Sequence, residues 1–373
     1  MNRDSHKDIP FVDLKIQYEY HREAFEKAIL DTVSSTQYIL GPEVSRFEKN
    51  FANFLDASEV IGVASGTDAL RLSCQALGLE QGDEVLVPAN TFIATILGVF
   101  ELGARFIPVD IDPETFLMDL KDAERRVTSK TKGMIPVHLY GQAMDMVAVQ
   151  DFAKCHSLFV IEDACQAHGA KWNGKRVGTF GQAGCFSFFP SKNLGAFGDG
   201  GAVAVNSPAM MEKLQLMRNY GSVQKYVHEI PGTNSRLDSI QAAVLNVKLN
   251  YLEEWNRNRF KAACRYGNGL EGVNSVKSPR FDQNLSERHV FNLFVVRCEQ
   301  RESLQNFLSQ RGIMTGVHYP VPIHLHKAFF SNEFSEGSCP VAEKLATEII
   351  SLPLFPEITD EQIDTVLQAL KEF

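Results

Sequence analysis

The sequence predicts an α/β protein with a mostly parallel sheet held between helices. Two observations lead there. Short apolar runs alternate with helical patterns through the first two-thirds of the chain. One of those runs, Leu158-Phe159-Val160-Ile161, is apolar throughout, as expected of a strand covered on both faces.

The elements follow in order. Val60-Ile61-Gly62-Val63 reads as a strand. It runs into Ser65-Gly66-Thr67-Asp68, after which Leu70, Cys74 and Leu77 recur at helical spacing. A helix therefore starts at Ser65 to Asp68 and stops at Gly78. Glu84 to Val87 is a strand, Thr91 to Leu102 a helix closed by Gly103, and Phe106 to Val109 a strand. Lys132 to His138 is a further strand and Met144 to His156 a further helix. Composition shifts near Ser239. Ser239 to Ala263 is rich in Gln, Ala, Leu, Asn and Arg, and reads as one long helix leading into a second domain. That domain is expected to hold a strand at Val290 to Arg297 and helices at Glu302 to Arg311, Val341 to Ile350 and Asp360 to Glu372. Pro320, Pro322, Pro353 and Pro356 punctuate its loops.

A chain of 373 residues favours two domains. The division is drawn at 1–250 and 251–373, with the N-terminal segment packing on the smaller part. Hydrophobic residues make up 44% and charged residues 22%, which excludes general disorder. The net charge is −9, with none of the clustered Lys and Arg of a nucleic-acid binder. No apolar stretch approaches the length of a membrane span. The opening MNRDSHKDIP lacks an apolar core, so no secretory signal is expected. Seven scattered cysteines without a C-x-x-C pair argue against a disulfide framework and against structural zinc. A reducing cytoplasm is the expected compartment, and no metal is expected.

Ligands of open α/β sheets bind beyond the carboxyl ends of the strands. Three segments fall at such ends. Ser65-Gly66-Thr67 opens a helix, where free N–H groups and the helix dipole suit an anion; an ordinary N-cap is the plain alternative. Asp163, directly after an apolar strand, suits a metal, a histidine or a protonated ring nitrogen, or else caps the next turn. Lys192 lies in Phe186-Ser187-Phe188-Phe189-Pro190-Ser191-Lys192-Asn193-Leu194, followed by the glycine-rich Gly195 to Gly201. That segment matches neither G-x-G-x-x-G nor a P-loop. Lys192 is either a surface lysine in a glycine-rich hairpin or a desolvated amine suited to Schiff-base chemistry. An anion cradle, a strand-end Asp and a later lysine together meet the needs of pyridoxal 5'-phosphate.

With these segments in place, the sequence resembles the sugar aminotransferases of the DegT/DnrJ/EryC1/StrS family. The resemblance runs from Ile9-Pro10-Phe11-Val12-Asp13-Leu14 to the C-terminal helix. Its marks are Val63 to Leu70, Pro88-Ala89-Asn90-Thr91-Phe92-Ile93-Ala94-Thr95, Glu162-Asp163-Ala164-Cys165-Gln166-Ala167-His168-Gly169, Phe186 to Gly201, and Asn234 to Asp238 with Gln241-Ala242-Ala243. It implies the aspartate aminotransferase type fold (fold type I), with pyridoxal 5'-phosphate in the large domain. Lys192 would form the imine with the cofactor and then shuttle the proton between it and the sugar carbon. Asp163 would pair with the pyridine nitrogen, and Gln166 would hydrogen-bond the ring hydroxyl. Gly66, Thr67 and Ser187 would hold the phosphate. Phe92 would stack on the ring, unless it is an ordinary core aromatic. Asn234 would reach the phosphate of the partner subunit, making a homodimer with shared active sites. His318, Tyr319 and His324 would meet the substrate, unless they are satisfied loop groups.

The Ser191-to-Gly201 form resembles relatives that act on 3-keto sugars, many of them dTDP-linked 6-deoxyhexoses. Relatives that aminate C4 more often carry Gly-Glu-Gly-Gly. Glutamate or glutamine would supply the amine, and pyridoxamine 5'-phosphate would be the alternate cofactor form. Cys165 departs from the small Ala or Ser usual before the glutamine. A sugar 3-dehydratase of the same family would carry histidine in place of Lys192. A silent regulator would be expected to lose Asp163, Gln166 or Lys192, and all are present. A UDP-linked substrate is the alternative within the enzyme reading.

Overall fold

One seven-stranded sheet organises most of the chain. Its spatial order is Glu59–Val63, Gly201–Val205, Ala183–Ser187, Phe159–Asp163, Thr131–Met134, Glu84–Pro88, Arg105–Val109. Only Gly201–Val205 runs antiparallel to its neighbours; the other pairings are parallel. These elements come from a computed structural model that describes residues 8–279, 283–329 and 333–373. The opening residues 1–7, which carry most of the stretch read as no secretory signal, lie outside the described residues.

Strand periodicity feeds two cores, because successive side chains point to opposite faces. Ile61, Val85, Val87, Ile161 and Val203 face the helices Gly66–Ala76, Ala94–Glu101 and Pro208–Met217. Their neighbours take the opposite face: Val60, Ala202 and Ala204 in one cluster, Leu86 and Val160 in another. The helices Pro42–Leu55 and Ser239–Leu249 cover the first of these clusters. Burial on both faces is why the strands read as apolar runs and not as alternating ones.

Several expectations need correction. The long helix over Ser239 to Ala263 is two helices, Ser239–Leu249 and Leu252–Gly269. At the break Asn250 donates its side-chain amide to the carbonyls of Asn246 and Val247, satisfying acceptors that a helix end leaves free. The strand expected from Val290 begins at Phe294, because Phe291 sits at φ 43°, which a strand does not admit. The helix expected to reach Ile350 ends at Glu348, and Ile349–Leu352 is instead a buried strand antiparallel to Phe294–Arg297. β-branched Ile349 and Ile350 suit that pairing. The strand from Lys132 covers Thr131–Met134 only, although Val137 still bridges Asp163. The helices Leu14–Tyr20, Arg22–Ser35 and Pro42–Leu55 precede the first strand and were not anticipated.

The Phe294–Arg297 pair and the helices Leu252–Gly269, Arg301–Ser309 and Asp360–Glu372 enclose a core of their own. Ile9 joins it, donating its N–H to Gly312 and accepting from Met314. Thr359 opens the last helix with a capping box to Gln362. Among the described residues no helix is long and apolar enough to cross a membrane, and all seven cysteines are free.

Glu162 ties the sheet to the loop beneath it. It is fully buried, yet Oε1 accepts the N–H groups of Phe180 (2.6 Å) and Gly181 (2.8 Å). Oε2 accepts Gly178 N–H at 2.7 Å and the His138 ring at 3.0 Å. His138 Nδ1 accepts Met144 N–H, so its Nε2 carries the hydrogen toward Glu162. Glu162→Gln would turn an amide N–H₂ toward groups that only donate. We expect a loss of about 3 kcal/mol or more, measured as a lower midpoint in denaturant unfolding. An unchanged midpoint would show that the knot is dispensable.

Candidate active site

The carboxyl ends of the parallel strands open onto a cavity of about 330 Å³. Gly66, Thr67, Phe92, Asp163, Gln166, Ser187, Lys192, His318 and Tyr319 all line it. Asn234 and His324 do not.

The helix Gly66–Ala76 points its N-terminus at the cavity. Ser65 caps it, its Oγ accepting Asp68 N–H at 3.1 Å, so the capping reading holds for Ser65. Helix geometry leaves the N–H groups of Gly66 and Thr67 without intrahelical partners, free for an anion. Only glycine fits at 66: a Cβ there would meet Ser187 Cβ at 2.6 Å. Ser187 at the end of the strand Ala183–Ser187 thus closes the same cradle.

Asp163 ends the strand Phe159–Asp163 and is 5% exposed. Its Oδ1 accepts Cys165 N–H at 3.2 Å, which is the turn-capping role. Its Oδ2 accepts the Thr95 hydroxyl at 2.8 Å. Asp163 therefore caps the turn and also lines the cavity. Gln166 is oriented from both ends. Its Oε1 accepts Tyr140 N–H at 2.6 Å and its Nε2 pairs with the Tyr319 hydroxyl at 3.0 Å.

Lys192 lies on the loop between the strands Ala183–Ser187 and Gly201–Val205. Burial lowers its pKa, with Cys165 and Asp163 acting in the opposite sense. More of the amine is then neutral and nucleophilic near neutral pH. The loop is tight: a Cβ at Gly195 would strike the Pro190 carbonyl. Asn193, the next residue, is 3% exposed and anchors the loop. Its Nδ2 donates to Asn256 Oδ1 (2.8 Å) and Val290 O (3.0 Å), and its Oδ1 accepts Asn292 Nδ2 (2.9 Å).

The opposite wall is aromatic. Phe92 lies 5.2 Å from the Tyr319 ring, centroid to centroid. At 49% exposure it is no core aromatic. His318 stacks on Phe11 at 5.6 Å, and its Nδ1 pairs with Ser351 Oγ at 2.8 Å. Burial, helped by the Lys192 charge, pushes its pKa down to about 4, so the ring is neutral.

His324 needs correction. It is 1% exposed and turned inward, its Nε2 paired with Glu343 Oε1 at 2.9 Å. A 3₁₀ turn at Ile323–Leu325, tied by Ile323 N–H to Ala89 O, carries it away from the cavity. Asn234 is exposed and bridges Asn219 on its own chain. Sequence reasoning missed Phe11, Thr91, Thr95, Leu139 and Asn292. For Thr91 and Thr95 a signal existed in the segment Pro88 to Thr95. For Phe11 one existed in Ile9 to Leu14; for Leu139 and Asn292 none did, since only folding brings them to the wall.

The arrangement suits a phosphorylated pyridine aldehyde: an anion cradle, a carboxylate, an amine and an aromatic face surround one cavity. A model of the DegT/DnrJ/EryC1/StrS aminotransferase family matches residues 19–371. The chain is 44% identical over 365 residues to dTDP-3-amino-3,4,6-trideoxy-alpha-D-glucose transaminase of Streptomyces venezuelae, covering 98% of this chain and 96% of that one. It is 40% identical over 363 residues to UDP-N-acetyl-3-dehydro-alpha-D-glucosamine 3-aminotransferase of Acidithiobacillus ferrooxidans, covering 97% of each chain. Among solved structures, S. venezuelae DesV in complex with a ketimine intermediate superposes with a TM-score of 0.95 at 44% identity, covering 98% of both chains.

Proposed function

Because the chain belongs to the DegT/DnrJ/EryC1/StrS aminotransferase family and has its fold type I architecture, we propose that it aminates a nucleotide-linked keto sugar. One observation carries this reading. Lys192, Asp163 and Gln166 converge on the cavity into which the helix start at Gly66–Thr67 points. A regulator that had kept only the fold would have no need to hold all of them there.

When bound, pyridoxal 5'-phosphate supplies the electron sink and carries the amino group between half-reactions as pyridoxamine 5'-phosphate. The protein's residues do the rest. Gly66, Thr67 and Ser187 would hold the phosphate, Asp163 would keep the ring nitrogen protonated, and Gln166 would orient the ring hydroxyl. Phe92 would cover the ring. Lys192 would supply the amine that binds the aldehyde and the base that moves the proton. His318 and Tyr319 meet the sugar, and the neutral His318 suits a hydroxyl better than a pyrophosphate. We assign 1–250 to the cofactor domain and 251–373 to the small domain, a division supported by the separate core around Phe294–Arg297. The proposed compartment is the cytoplasm, in keeping with the free cysteines.

The proposed substrate is a dTDP-linked 3-keto-6-deoxyhexose, with glutamate as donor. The S. venezuelae relative supports dTDP, and the A. ferrooxidans relative favours a UDP-linked sugar as the second reading. Incubating the protein with glutamate and a panel of dTDP- and UDP-linked keto sugars, with products followed by mass spectrometry, decides between them. No amino sugar from any of the panel would count against the assignment.

A homodimer with shared sites is part of the proposal. Exposed apolar side chains such as Phe197, Tyr220 and Tyr226 are available for such a contact. Asn234 would reach the partner's phosphate. Asn234→Ala should then weaken cofactor retention, and mixing it with Lys192→Ala protomers should restore activity. A mixed dimer holds one intact site, so random mixing restores roughly a quarter of all sites. No recovery after verified subunit exchange would mean that Asn234 serves its own chain.

A further inference from the structure

Beside Asp163 two buried threonines form a hydroxyl chain, of which Thr91 also lines the cavity and Thr95 does not. Thr95 is fully buried and Thr91 is 2% exposed. Thr95 is the second residue of the helix Ala94–Glu101, and Thr91 lies four positions earlier in the loop that leads into it. Thr95 Oγ1 lies 2.8 Å from Asp163 Oδ2, and Thr91 Oγ1 lies 2.7 Å from Thr95 Oγ1. Proton accounting gives the chain a direction. An ionised carboxylate only accepts, so Thr95 donates to Asp163. Thr95 has a single hydroxyl hydrogen, so Thr91 must donate to Thr95. The other carboxylate oxygen already accepts Cys165 N–H.

We propose that Thr95 is a positioning residue for the ring-nitrogen contact, holding Asp163 ionised and in one rotamer, with Thr91 as its second member. This rests on the cofactor reading given above. The reason is geometric and electrostatic. A carboxylate at 5% exposure, with little water around it, needs donors to remain charged. The Cys165 N–H supplies one to Oδ1 and the Thr95 hydroxyl one to Oδ2, so each oxygen keeps further lone-pair capacity for a ligand in the cavity. A rotated or neutral Asp163 would no longer recognise a protonated pyridine nitrogen. Thr95 does not line the cavity and so acts only through Asp163.

The test separates positioning from general stability. Binding of pyridoxal 5'-phosphate is compared with that of its analogue carrying carbon in place of the ring nitrogen, by equilibrium dialysis on the full chain. Phosphate and lysine contacts are common to both ligands and cancel in the ratio of dissociation constants. Wild type should prefer the nitrogen ligand. In Thr95→Val that preference should fall about tenfold, the effect of losing a hydrogen bond to a charged group, and Thr95→Ser should restore it. Thr95→Ala repeats the measurement in a variant that adds no bulk beside the carboxylate. A preference unchanged or increased in both Thr95→Val and Thr95→Ala would overturn the proposal. Equal binding of the two ligands by wild type would overturn the cofactor contact of Asp163 itself, and the role of Thr95 with it.

Discussion

Lys192→Ala should abolish turnover, by about 10³-fold or more, while leaving the fold in place. The amine is asked to do two things, to hold the aldehyde and to move a proton, and both vanish with the side chain. Lys192 is the only lysine lining the cavity among the described residues, so no neighbour can take over. Its environment points the same way. Burial favours the neutral amine, and the glycine-rich loop, anchored through Asn193, holds it in place. The fold should survive because the side chain faces a cavity and leaves no new void in a packed core. Lys192→Arg is the matched control: it restores positive charge but cannot condense with an aldehyde at neutral pH. Turnover with glutamate and the preferred keto sugar, read beside thermal unfolding, measures the effect. Substantial residual activity in a folded variant would remove Lys192 from the chemistry.

Asp163→Asn should retain cofactor yet lose activity by about 10²-fold or more, the scale of removing one buried electrostatic contact to developing charge. An amide offers the ring nitrogen a hydrogen bond but no negative charge, so the pyridinium is not held and the ring is a poorer electron sink. The site can accept the amide sterically. The Thr95 and Thr91 hydroxyls can reverse their direction, letting Thr95 accept from the new N–H₂ while Cys165 N–H still meets the oxygen. Retained cofactor, measured as bound phosphate, separates this outcome from simple loss of the site. A rate within a few-fold of wild type would leave Asp163 with its capping role only.

Much of this site could be read along the chain, since its parts are local. The helix start at Ser65–Thr67, the strand-end Asp163 and the glycine-flanked Lys192 each sit at a strand end, where parallel topology puts ligands. Periodicity located those strand ends, and apolar runs identified the buried strands. His324 shows the limit. It stands six residues after His318 in a segment of similar composition, yet a 3₁₀ turn and Glu343 draw it into the interior. No local signal distinguishes the two histidines.

By itself, the sequence determined the α/β class, the parallel sheet and the three segments that bear the chemistry. These follow from side-chain periodicity and from where glycine and capping residues interrupt it. Tertiary structure alone decided which side chains share a wall. Phe11 reaches His318 across the length of the chain, Asn292 holds Asn193, and Ile349–Leu352 becomes a strand only because Phe294–Arg297 lies beside it. Such contacts join residues far apart in sequence. They form because burying apolar surface and satisfying polar groups are conditions on the whole fold, which no local window contains.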